Sequence, residues 1–142
     1  MIVNLDVERG NTYAKNWVNI GFYAVSILFN VCLMAQVLTV GVAYFSDPVW
    51  WTVHKWLVWG YGGLSLVLLG GTFMTLSSAR IRSLAASLPV LMGFQFFSLH
   101  VKTPLHLEIF HPLIGFSLFY VSSSLVHNVS RRLFPTDNPS VH

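Results

Sequence analysis

His54 and His111 are the side chains of this sequence best suited to hold or move something. A neutral imidazole is a ligand for transition metals and can also give or take a proton near neutral pH. Each of the two stands at the entrance to a long apolar stretch. Two further polar residues, Gln36 and Gln95, lie deep within apolar runs, where a polar group needs a partner. Gln36 precedes His54 by 18 residues and Gln95 precedes His111 by 16. The sequence therefore carries the same order twice: a glutamine inside an apolar run, a loop, and a histidine opening the next run.

The elements that must position these residues follow from composition. Of 142 residues, 54% are hydrophobic and 9% charged, and the mean hydropathy is +0.63. A soluble domain carries about 25% charged residues, so this chain lacks the charge to cover a water-exposed surface. Four stretches are almost free of charge: Trp17 to Ser46, Val49 to Ala79, Ser83 to Val101, and Ile109 to Ser130. Each is close to or beyond the about 20 residues that a helix needs to cross hydrocarbon. Strict alternation is absent, which argues against a β-barrel. The expected fold is an all-α integral membrane four-helix bundle, with helices at about 17–45, 50–77, 82–100 and 109–132. Residues 1–16 form a polar N-terminal segment and 133–142 a short disordered tail. The first apolar run is too long for a cleaved signal peptide.

With four helices, both termini and the Arg80/Arg82 turn share one side. That side collects Arg9, Lys15, Arg80, Arg82, Arg131 and Arg132, against Lys55 and Lys102 on the other. The positive-inside rule places both termini in the cytoplasm, in the plasma membrane of a prokaryote. His54 and His111 then share the outer side. The net charge of +3 is spent on these topology positions, and no basic face interleaved with aromatics exists to grip nucleic acid.

A short repeat supports a duplicated helical hairpin: Leu33-Met34-Ala35-Gln36 parallels Leu91-Met92-Gly93-Phe94-Gln95, allowing one inserted residue. A twofold along the membrane normal would aim His54 and His111 at each other across the bundle. Bis-imidazole ligation from two facing helices is a standard way to hold haem in a helical bundle. No Cys-x-x-Cys-His attachment site exists and Cys32 stands alone, so the expected cofactor is non-covalent haem b. Below the ligands lie Val58, Tyr61 and Ser65 on one side, and Gly115, Leu118, Phe119 and Ser122 on the other. Such faces suit a porphyrin edge and also ordinary bundle packing. Gln36 and Gln95 are suited to bond a porphyrin substituent, a quinone carbonyl or an axial ligand, or each other's helices. Lys55 and Lys102, on the histidine side, are candidates for haem propionates or for snorkelling to the interface.

His100, His106 and His111, with Glu108, are an alternative metal site for Zn²⁺ or Cu²⁺. Their spacings are not those of ligands on one helical face. His127 is about 24 Å along the axis from His111 and cannot share its iron. Trp50, Trp51, Trp56 and Trp59 suit an aromatic belt, and Gly60, Gly62, Gly63, Gly70 and Gly71 suit close helix packing. No Ser-His-acid order, phosphate loop or intramembrane carboxylate pair points to a hydrolase or a proton-coupled transporter. The chain reads as a subunit more than as a stand-alone enzyme.

From Gln36 onward, the pattern Gln, Trp51-x-x-His54, an arginine-rich turn, Gln95, His111-Pro112 and Gly115 resembles a family of small prokaryotic four-helix membrane proteins of unknown activity. Members of that family resemble one half of haem A synthase. The resemblance covers about Leu28 to Arg132 and implies that His54 and His111 are axial ligands, with Gln36 and Gln95 the recurrent polar positions. His100 and His106 depart from the pattern.

The resulting expectation is an electron-transfer subunit of the b-type cytochrome kind, with one bis-histidine haem near the outer face. Its partners would be the bilayer, other membrane subunits or further copies of itself, and a quinone or an extracytoplasmic redox protein. Two alternatives stand beside it: a cofactor-free accessory subunit of a larger complex, and a protein that handles haem or metal transiently.

Overall fold

The computed structural model describes residues 2–75, 77–101 and 106–135, with side chains from Asn16 onward. All regular structure among them is helical. Helix α1 runs Ile2–Phe45, α2 Trp50–Tyr61, α3 Leu64–Met74, α4 Ala79–His100, and α5 His111–Leu133, the last preceded by a 3₁₀ turn at Leu107–Phe110. Four helical stretches are long and apolar enough to cross a membrane: Asn16–Phe45, Trp50–Met74, Ala79–His100 and Leu107–Leu133. Helix is what an apolar solvent dictates, because a backbone in lipid must satisfy its own N–H and C=O groups. The outer surface fits that solvent, since Trp17, Leu38, Phe73, Phe116 and Tyr120 all point outward.

The helices differ from the expected bounds in four places. Helix α1 extends back through the polar segment to Ile2. The second span ends at Met74 and is broken at Gly62-Gly63. There the bonds from Ser65 N to Gly62 O and from Leu66 N to Gly63 O close over three residues, while both glycines keep right-handed helical dihedrals. The hydroxyl of Ser65 also donates to the Gly62 carbonyl, at 2.8 Å. Helix α4 begins at Ala79, capped by Ser78, whose hydroxyl accepts from Ile81 N, and it continues through Pro89. The last helix begins at His111 with Pro112 in its first turn, as expected, while a 3₁₀ turn takes up Leu107–Phe110. The tail beyond Pro135 lies outside the described residues.

The helices form a ring in which α1 packs on α2, α3 and α5, and α4 packs on α3 and α5. Helices α1 and α4 are therefore diagonal to each other, as are the α2–α3 rod and α5. The core is a column of Phe29, Leu68, Ala85, Leu88, Leu118 and Leu125, each essentially without exposure. Buried hydroxyls line the seams, and Ser26 and Thr72 each donate to a carbonyl of their own helix. Asn30 ties α1 to α5 by donating to Ser122 Oγ at 3.2 Å and Ser123 Oγ at 3.0 Å. Of the five glycines in the second span, Gly71 is where a neighbour presses closely: a Cβ there would stand 2.8 Å from Phe22 Cδ2. A Cβ at Gly62 would stand 2.9 Å from the Val58 carbonyl oxygen one turn earlier and 3.3 Å from Met92 Cε, and Gly60, Gly63 and Gly70 have open space.

The burial pattern repeats in register. The inward positions of α1 are Phe22, Ser26, Phe29, Leu33, Gln36 and Thr39; adding 59 to each number gives Ile81, Ala85, Leu88, Met92, Gln95 and Ser98, the inward positions of α4. Adding 57 to Tyr61, Ser65, Leu68 and Thr72 gives Leu118, Ser122, Leu125 and Val129, the inward positions of α5. The same 57 carries His54 to His111. The repeat thus spans both hairpins, with two residues fewer between the second glutamine and histidine. The inserted residue that the short sequence match required is not needed: Gln36 and Gln95 superpose in one uninterrupted register.

Candidate functional site

Each glutamine meets the histidine of its own hairpin. Gln36 Nε2 donates to the backbone oxygen of His54 at 3.0 Å and stands 3.3 Å from His54 Nε2. Gln95 Nε2 stands 3.0 Å from His111 Nε2. The equivalence is physical as well as numerical, because the same pair of atoms meets in both halves.

A hydroxyl three residues after each glutamine completes the motif. Thr39 Oγ1 donates to the Gln36 carbonyl at 2.8 Å, and Ser98 Oγ donates to the Gln95 carbonyl at 2.9 Å. In the first half this hydroxyl also reaches the ring: His54 Nδ1 lies 3.3 Å from Thr39 Oγ1 and 3.3 Å from the Gln36 carbonyl. Since Thr39 spends its proton on that carbonyl, both oxygens are acceptors toward His54 Nδ1–H. The network assigns the proton of His54 to Nδ1 and leaves the lone pair on Nε2, facing the Gln36 amide. Trp51 meets the His54 ring edge to face, with centroids 5.8 Å apart and planes at 77°.

The second half is less complete. With its Nε2 accepting from Gln95, His111 carries its proton on Nδ1, and that nitrogen is buried without a partner. Gln36 Oε1 and Gln95 Oε1 are also buried and unpaired. Among the described residues these are the three buried side-chain polar atoms left unsatisfied, and all belong to the two glutamine–histidine pairs. Each costs about 1–3 kcal/mol if left so, and all three lie at this end of the bundle. Both histidines are half-buried. They stand on diagonal elements of the ring.

The other expected participants are elsewhere. Lys55 lies beside Thr52, Trp56 and Trp59 along an open groove of about 360 Å³ on α2. Lys102 lies outside the described residues. His100 is exposed and donates from Nδ1 to the Phe96 carbonyl at 2.8 Å. His106, exposed and in a left-handed conformation at φ 47°, pairs with Glu108 at 2.9 Å. Among the described residues, no three His, Cys, Asp or Glu side chains gather as a metal site, so His100 and His106 form no such cluster with Glu108 or His111. The positions expected below the ligands are inward-facing where Tyr61, Ser65, Leu118 and Ser122 stand. Thr39 and Ser98 were not anticipated as part of the site. Their signal was the matched Gln-x-x-Thr and Gln-x-x-Ser spacing.

A family model described as a family of unknown function, DUF6220, matches residues 36–100. The match begins at Gln36 and includes His54 and Gln95. No curated protein and no solved structure matches the chain. The likeness to one half of haem A synthase therefore rests on the residue pattern alone.

Proposed function

We propose that the chain is a membrane-embedded electron-transfer subunit that holds one haem b between His54 and His111. The observation that carries this reading is the repeat of one ligand unit on diagonal elements: a histidine, its glutamine and a hydroxyl, with the unsatisfied polar atoms gathered around the two rings. The donor set fits the group. His54 already shows the outer bond a ligating imidazole needs, Nδ1–H to a backbone carbonyl, which leaves Nε2 for a metal. Ligation requires each glutamine amide to turn from the ring, and the terminal amide torsion is broad enough to allow it. Haem, when bound, supplies reversible one-electron chemistry at iron. The protein's part is to set the ring tautomer through the Gln36 carbonyl and Thr39 and to exclude water with Tyr61 and Leu118.

The excess of arginine at the opposite end supports an orientation with both termini in the cytoplasm of a prokaryote and the histidines toward the outer leaflet. A haem at that depth exchanges electrons on one side of the membrane, with a quinol or an extracytoplasmic redox protein. It does not carry them across the bilayer by itself, which favours membership of a larger complex.

The glutamine–histidine bonds also favour a second reading. Each clamps the two helices of one hairpin, as an accessory subunit without a cofactor would need. A reduced-minus-oxidised visible spectrum of the detergent-purified, haem-supplied protein separates the two. Sharp α and Soret bands, lost in both His54→Ala and His111→Ala, support the cytochrome. A featureless spectrum from folded protein overturns it and leaves the clamp. Haem that washes away under mild conditions favours transient haem handling.

A further inference from the structure

At the end of the bundle opposite the histidines, a cavity of about 200 Å³ opens where three helices and the α3–α4 turn converge. Its polar lining is Asn16, Asn19, Thr75, Ser77 and Arg132, and its floor is Phe22, Ile81, Val129 and Leu133. We infer that this cavity binds the phosphate group of an anionic phospholipid from the adjacent leaflet.

The donor chemistry selects an oxyanion. A guanidinium presents a planar fork of N–H groups suited to phosphate. Two carboxamides add N–H donors, and two hydroxyls can rotate to donate. Among the described residues, no carboxylate lines the cavity. Thr75 Oγ1 donates to the Gly71 carbonyl at 3.1 Å and accepts from Ser77 Oγ at 2.5 Å, so a ligand here would draw the Ser77 hydroxyl proton away from Thr75. Arg80, Arg82 and Arg131 on neighbouring turns raise the local positive potential.

The floor decides between the two sources of phosphate. Phe22, Ile81 and Val129 are buried core residues, and a soluble phosphate would gain nothing from them. A phospholipid carries hydrocarbon directly beneath its phosphate and can satisfy the rim and cover the floor together. The depth agrees as well. Asn16 and Leu133 flank the charge-free runs Trp17 to Ser46 and Ile109 to Ser130, which is where headgroups lie.

The neighbouring arginines provide the test. Arg131 and Arg132 carry the same charge one residue apart, and only Arg132 lines the cavity. Native mass spectrometry of the detergent-purified full chain, titrated with dioleoylphosphatidylglycerol, should show one lipid retained. Arg132→Gln and the charge-neutral Asn19→Leu should each weaken retention about tenfold, the loss expected for one charge-assisted bond or its supporting donor. Arg131→Gln should stay within about twofold. Excess inorganic phosphate should leave the lipid bound; displacement by it would overturn the lipid source and assign the cavity to soluble phosphate. Equal losses in Arg131→Gln and Arg132→Gln, with Asn19→Leu unaffected, would mean diffuse charge attraction and overturn the site.

Discussion

Gln95 Nε2 and His111 Nε2 lie 3.0 Å apart across the α4–α5 interface, and the amide oxygen on the same glutamine is buried with no partner. Half of the side chain is satisfied and half is not. Gln36 shares the unsatisfied oxygen but makes a second bond, to the His54 carbonyl. The asymmetry has measurable consequences.

Gln36→Leu removes the donor to both the carbonyl and the ring of His54. It should lower stability by about 1–2 kcal/mol, toward the upper end of interhelical polar bonds in membranes. Gln95→Leu removes one bond together with one unpaired oxygen, and should cost less than half as much. Equilibrium unfolding in mixed micelles reads both. Equal losses would contradict the asymmetry.

The hydroxyls of the repeat should be exchangeable. Thr39→Ser and Ser98→Thr keep the donor to each glutamine carbonyl, so thermal unfolding should shift by no more than surface substitutions do, about 0.5 kcal/mol. Thr39→Val removes that donor and a contact to His54 Nδ1. Nitrogen-15 NMR of the imidazoles should then show the His54 Nδ1–H resonance shifted by loss of one of its two acceptors, with the tautomer held by Gln36 and His111 unchanged.

Close packing at the opposite end of the bundle makes its own prediction. A Cβ at residue 71 would stand 2.8 Å from the ring of Phe22, whereas one at residue 70 meets nothing within 4 Å. Gly71→Ala should destabilise by about 1–3 kcal/mol through overpacking. Gly70→Ala should be neutral or slightly stabilising, as helix propensity favours alanine. A thermal melt of the two variants side by side checks the contrast.

The bond from Asn30 to Ser122 and Ser123 joins the two hairpins midway along the bundle. Asn30→Leu should cost about 0.5–1.5 kcal/mol. Because Asn30 lies well away from His54 and His111 along α1 and α5, any haem spectrum should keep its band positions. A spectral shift in this variant would show that hairpin docking and the histidine site are coupled.

Much of the fold could be read without coordinates. Four apolar runs of membrane-spanning length, the Asp47-Pro48 turn and Pro112 in a first turn located the elements to within a few residues, because a backbone in lipid has little choice other than helix. The twofold order of glutamine and histidine was visible too. Its true register was not, since Leu33-Met34-Ala35 resembles Leu91-Met92-Gly93 by chance identity one residue out of step. Inward-facing burial, a property of packed helices, restored a single offset along each helix.

The sequence by itself determined the number of helices, the end of the bundle that carries the histidines, and the residue types available there, because each depends on local hydropathy and charge. The tertiary structure decided which atoms meet. Glutamine with histidine, Thr39 and Ser98 on the glutamine carbonyls, and the break at Gly62-Gly63 all depend on which helix face turns inward. In water that choice leaves a polar stripe to read. In lipid the core and the solvent are equally apolar, so the choice is made by packing and by the few polar bonds that find partners across helices.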